Sequence, residues 1–126
     1  MKLIKFNKQY KYKSDNQKFG FIEVWDIPEL QQDGFYYGDC EDYCIFLKHN
    51  IEEFEEWDYY YCALENQGHC VLMKDDLIID CNCQKVMSSN EYKKIYNVSN
   101  FKKIGLFTVF SKFVFGKLFS LFAIIK

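Results

Sequence analysis

Arginine is missing from this chain: all 16 basic residues are Lys. Without the planar guanidinium fork it lacks the usual bidentate reader of phosphate and base edges, so nucleic acid is not an expected partner. An N-terminal signal peptide is not expected either. Residues 1–10 (MKLIKFNKQY) are interrupted by Lys5 and Lys8 and build no apolar centre. The expected location is therefore cytoplasmic, where the six Cys remain thiols. No paired C-x2-C spacing is present, which removes the commonest signature of a structural zinc site. With two His in the chain, imidazole chemistry falls to His49 or His69.

What is present is globular. At 126 residues, 49% hydrophobic and 27% charged, the chain is long enough for one domain with its own core. An aromatic share of 20% is high, which favours a core rich in rings. The net charge of −2 conceals an acidic body and a basic tail, because Glu91 is the last acid and seven Lys follow it.

Residues 36–44 (YYGDCEDYC) carry the strongest local signal. Gly38 can turn the chain, Asp39 is a good N-cap, and Asp42 places an acid at the capping-box position. Cys40, Cys44, Leu47, Ile51 and Phe54 then recur every three or four residues, an amphipathic helix of about four turns. Cys40 falls at or beside its first position, where free N–H groups and the helix dipole favour a thiolate. A small hydrophobe at a helix start explains the same residue without chemistry.

Before this helix the pattern predicts an extended N-terminal arm, an extended piece over 19–25, and a short helix capped by Asp26 with Pro28 in its first turn and Gly34 as its stop. After it come strands over 57–64, 69–74 and 77–81, a turn over 88–90, and a last strand over about 92–101. If Asp75 and Asp76 form a two-residue hairpin turn, Lys74 pairs with Leu77. His69 and Asp80 then share a face as diagonal neighbours, roughly 7 to 8 Å apart. A slip of one residue would separate them.

Cys40, His69 and Asp80 supply the residue types of a thiol hydrolase: a nucleophile, a proton carrier and a carboxylate that orients it. His49 lies on the helix of Cys40, about 13 Å further along, and cannot reach the sulfur. A zinc set gathered from Cys40, Cys44, His69, Cys70, Cys81 and Cys83 is the chemical rival. Cys81 and Cys83 otherwise read as spectators. The run Tyr59-Tyr60-Tyr61 fits either a substrate groove or a strand packed on both faces.

The chain resembles the bacterial transglutaminase-like cysteine peptidases, which share the papain and transglutaminase core. The resemblance rests on GDCEDY at 38–43, YKSDNQKFGFIEVWDIP at 12–28, GHCVLM at 68–73 and LIIDCN at 77–82. It covers residues 10–101 and implies Cys40 as nucleophile, His69 as general base and acid, and Asp80 as orienting carboxylate. In the branch that cleaves surface adhesins the acids flanking the nucleophile bind calcium. Those positions are Asp39 and Glu41 here, although N-capping explains them equally. Compared with that branch, the segment between Cys40 and His69 is short.

Residues 102–126 form a separate hydrophobic, basic tail. At 100° per residue Gly105, Thr108, Lys112, Gly116, Ser120, Ala123 and Lys126 fall within about 120°, and large apolar residues cover most of the rest. This predicts a helix lying on a membrane surface or packed on protein. Lys112 and Lys117 break any spanning run.

The expected molecule is α+β, with a papain/transglutaminase-like core in residues 1–101: a central helix bearing Cys40 on an antiparallel sheet, followed by the tail helix. The expected function is cleavage of an amide or peptide bond in a protein or peptide substrate, through a thioester and with no required cofactor. The alternative is a catalytically silent binding module of the same fold, held at a membrane or partner by its tail.

Overall fold

The computed structural model describes residues 1–13, 27–64 and 67–105. Its elements are α1 (Leu3–Gln9), β1 (Tyr10–Tyr12), β2 (Tyr36–Gly38), α2 (Cys40–Asn50), a 3-10 turn (Glu52–Phe54), β3 (Asp58–Leu64), β4 (Gln67–Lys74), β5 (Leu77–Ile79), β6 (Met87–Ser88), α3 (Ser89–Ile95) and β7 (Val98–Lys103). The architecture is α+β. Five antiparallel strands in the order β6-β5-β4-β3-β7 form the main sheet, and β1 pairs in parallel with β2 beside it.

The hairpin register is the one expected. Lys74 pairs with Leu77 across Asp75 and Asp76, Asp75 adopts a left-handed φ of 55°, and the ladder runs to Leu72 opposite Ile79. Alternation along β4 then sorts its side chains. Cys70 and Leu72 join a cluster with Phe6, Tyr43, Phe46 and Phe54 on the α2 side, whereas Val71 joins Ile78, Met87 and Tyr92 on the α3 side.

Three expectations are corrected. The N-terminal arm is helical, because a turn at this point buries Phe6 completely, stacked on Phe46, and leaves Lys5 and Lys8 in solvent. Burial here outweighs a loosely alternating pattern. The helix expected up to Gly34 is absent from residues 27–34, which instead carry a turn closed by the Gly34 N–H on Gln31 O, with Gly34 at φ 88°. Ile27 and Leu30 are exposed there, so a helix would bury little apolar surface beyond Pro28. Finally, the residues from 89 begin as α3 rather than as a turn and strand. Ser88 caps it by accepting the Glu91 N–H, Tyr92 is buried, and β7 starts only at Val98.

The stripe behind Cys40 also divides: α2 ends at Asn50, and the 3-10 turn carries Phe54 into the core. The expected piece over 19–25, the Asp26 cap and the tail helix beyond residue 105 lie outside the described residues. Among the described residues no helix is long and apolar enough to cross a membrane.

Candidate active site

Asp39 caps α2 with its side chain. Oδ1 accepts the N–H groups of Glu41 and Asp42 at 3.0 Å each, and Asp42 Oδ2 accepts the Asp39 N–H at 3.0 Å, closing the capping box. The box needs Gly38, where a Cβ would stand 2.3 Å from Asp42 Cβ. Tyr10 ties down the approach, its hydroxyl donating to Gly38 O at 2.8 Å and to Asp39 O at 3.2 Å. Cys40 is thus delivered at the first position of α2 by contacts from α2, β2 and the start of β1.

This cap changes the electrostatics expected at Cys40. Two amides of the first turn are turned onto Asp39, so they do not serve a thiolate. Burial pushes the largely buried Cys40 thiol far above its ordinary value. The Cys70 main chain pulls the other way, and Cys70, Asp39 and Cys81 add upward pushes. Cys40 therefore stands as a neutral thiol.

His69 and Asp80 meet on the other side of β4. His69 alternates with Cys70 and so leaves the strand on the face of Val71. Its Nε2 donates to Asp80 Oδ2 at 2.5 Å, with Asp80 fully buried. Oδ2 also accepts the Tyr92 hydroxyl, and Oδ1 accepts the N–H groups of Asn82 at 3.0 Å and Cys83 at 2.9 Å. Burial alone would raise the Asp80 carboxyl. The hydrogen bonds from His69, Tyr92 and Cys83 outweigh it and hold the group below the usual carboxylate range.

Cys40 and His69 approach from opposite faces of β4, yet they line one cavity of about 350 Å³ together with Tyr12, Gln67, Cys81 and Asn82. The strand permits this because β5 stops at Ile79, opposite Leu72, so β5 does not pair with β4 from residue 71 down to Gln67. The chain turns away through residues 80–83, the same turn that carries Asp80. One local feature thus opens the cavity and supplies the carboxylate.

The other named candidates are placed elsewhere. His49 is exposed near the far end of α2 and lines a different cavity with Lys48 and Glu52. Cys44 and Cys70 are fully buried, with the Cys44 thiol donating to Cys70 O at 3.5 Å. Among the described residues no three His, Cys, Asp or Glu side chains group as metal ligands. Asp39 Oδ1 already holds two amides and Glu41 Oε1 accepts the Tyr61 hydroxyl at 3.4 Å. Calcium takes six to eight oxygens, which these two carboxylates do not supply by themselves. Tyr59 and Tyr61 pack on the α2 side of the sheet and Tyr60 on the other, as strand alternation requires.

Three residues of the site were not legible beforehand. Cys81, read as a spectator, lines the cavity, its thiol pushed up to about 12 by burial and then by Asp80. Tyr10 and Tyr92 act through hydroxyls that meet their acceptors 28 and 12 residues away. A Tyr on a strand and a Tyr on a helix point to different places, so reading residue 92 as strand hid its partner. No protein-family model matches the chain, and the comparison with curated proteins found no significant match.

Proposed function

We propose that this protein is a cysteine hydrolase of transglutaminase-like type, cleaving an amide or peptide bond with Cys40, His69 and Asp80. One observation carries the reading: His69, whose Nε2 is committed to the buried Asp80 carboxylate, lines the same cavity as Cys40. With Asp80 ionised, Nε2 carries the ring proton and Nδ1 of the neutral imidazole keeps a lone pair. Nδ1 takes the thiol proton as sulfur attacks the substrate carbonyl. The imidazolium then returns that proton to the departing amine, and water hydrolyses the thioester. The Cys40 amide, one of the groups that a helix start leaves without an intrahelical acceptor, can hold the developing oxyanion.

Because the resting thiol is neutral, proton transfer accompanies attack, with no standing thiolate beforehand. The papain-like core, the peptide substrate and a membrane-facing tail belong to the same proposal. A second reading, the silent binding module, is favoured by the burial and the Asp39 charge that keep Cys40 protonated.

Site-resolved alkylation by iodoacetamide at pH 7.5 separates the two. In the hydrolase, His69→Ala slows labelling of Cys40 by on the order of 100-fold, the lower end of what general-base help contributes, and Cys40→Ala abolishes cleavage of peptide amides. Equal labelling with and without His69 would sink the hydrolase reading.

A further inference from the structure

The carboxylate behind His69 has a second side-chain donor that the chemistry above does not use. Tyr92 is fully buried on α3, its ring lies 4.7 Å from that of Tyr96, and its hydroxyl donates to Asp80 Oδ2, the same oxygen that accepts from His69. Asp80 Oδ1 is occupied by two main-chain amides. The imidazole and the phenol therefore divide one oxygen between them. We propose that Tyr92 is a positioning residue of this site, whose hydroxyl sets how firmly Asp80 holds a proton on His69.

The physical reason is competition for charge. A donor on Oδ2 withdraws electron density from the carboxylate and weakens its hold on the imidazolium. Among the described residues, the remaining titratable groups that interact with Asp80 are Cys81 and Cys83 from its own turn, Cys62 from β3, Tyr43 from α2 and Tyr96 beyond α3. Burial raises every one of them, so all stay neutral near pH 7. Cys40 and Tyr12 share the cavity with His69. With Oδ1 fixed by main-chain amides, the charge on Oδ2 is divided between His69 and Tyr92, which makes the phenol the adjustable side chain. The proposal rests on the hydrolase reading for the reaction it serves, because a less basic imidazole returns its proton to the leaving amine more readily.

The test is an NMR titration of the His69 ring in the full chain, with His49→Gln removing the other imidazole signal. Tyr92→Phe should raise the His69 pKa by on the order of half to one pH unit. Site-specific 3-fluorotyrosine at position 92, a stronger donor of nearly the same shape, should lower it. That second arm also answers if the Phe variant does not fold. A drop in melting temperature with the His69 pKa unmoved in both variants would reduce Tyr92 to a packing residue and overturn the proposal. Opposite shifts in the two variants establish it even if Cys40 labelling proves independent of His69, an outcome that would remove only the hydrolase reading.

Discussion

Asp80 is the residue on which most of this site depends. It is fully buried and accepts four hydrogen bonds, from His69, Tyr92, Asn82 and Cys83. Removing it strands a buried imidazole and phenol together, so Asp80→Ala should cost about 3 kcal/mol or more in urea unfolding at pH 7. Its folded pKa is lowered, so the stabilisation is complete above the unfolded value of about 3.9 and disappears as pH falls through the lower folded value. Wild type should therefore lose more stability than Asp80→Asn between pH 5 and pH 2. Parallel losses in the two proteins would show that Asp80 is not the group responsible.

At the scale of elements, the start of α2 sets two demands against each other. Asp39 satisfies two amides and holds the helix, and its charge beside Cys40 adds to the burial that keeps the thiol protonated. Asn caps nearly as well but carries no charge. Asp39→Asn should hold the melting temperature and raise Cys40 alkylation at pH 8 several-fold, since each unit of pKa is tenfold in thiolate. Asp39→Ala should lose about 1 kcal/mol of stability with the cap. If Asn leaves Cys40 as slow as before, burial alone governs the sulfur. The cap itself was legible in Gly38, Asp39 and Asp42, because capping is local chemistry within one turn. The switch from stripe to 3-10 turn after Asn50 was not, since Phe54 follows the core rather than the helix period.

The whole molecule joins an acidic body to a basic end, with Lys102, Lys103, Lys112, Lys117 and Lys126 following the last acid, Glu91, after Lys93 and Lys94. A polybasic, Phe-rich segment is attracted to anionic lipid through both charge and buried area. The full chain should sediment with phosphatidylserine vesicles in low salt and be released as salt rises. Lys112→Glu combined with Lys117→Glu should abolish that binding while leaving Cys40 labelling unchanged. Sedimentation indifferent to both salt and charge reversal would assign the tail to protein packing.

The sequence by itself determined the local features: the cap before Cys40, the strands of the central hairpin, and the Lys74–Leu77 register that carries His69 toward Asp80. Each follows from neighbouring residues, through capping chemistry, strand alternation or a two-residue turn. Only the tertiary structure decided that residues 3–9 coil to bury Phe6, that Tyr92 leaves a helix to reach Asp80, and that β5 ends early enough to open a cavity between Cys40 and His69. These outcomes depend on groups far apart in the chain, where the burial of a ring or the pairing of a buried charge outweighs what adjacent residues prefer.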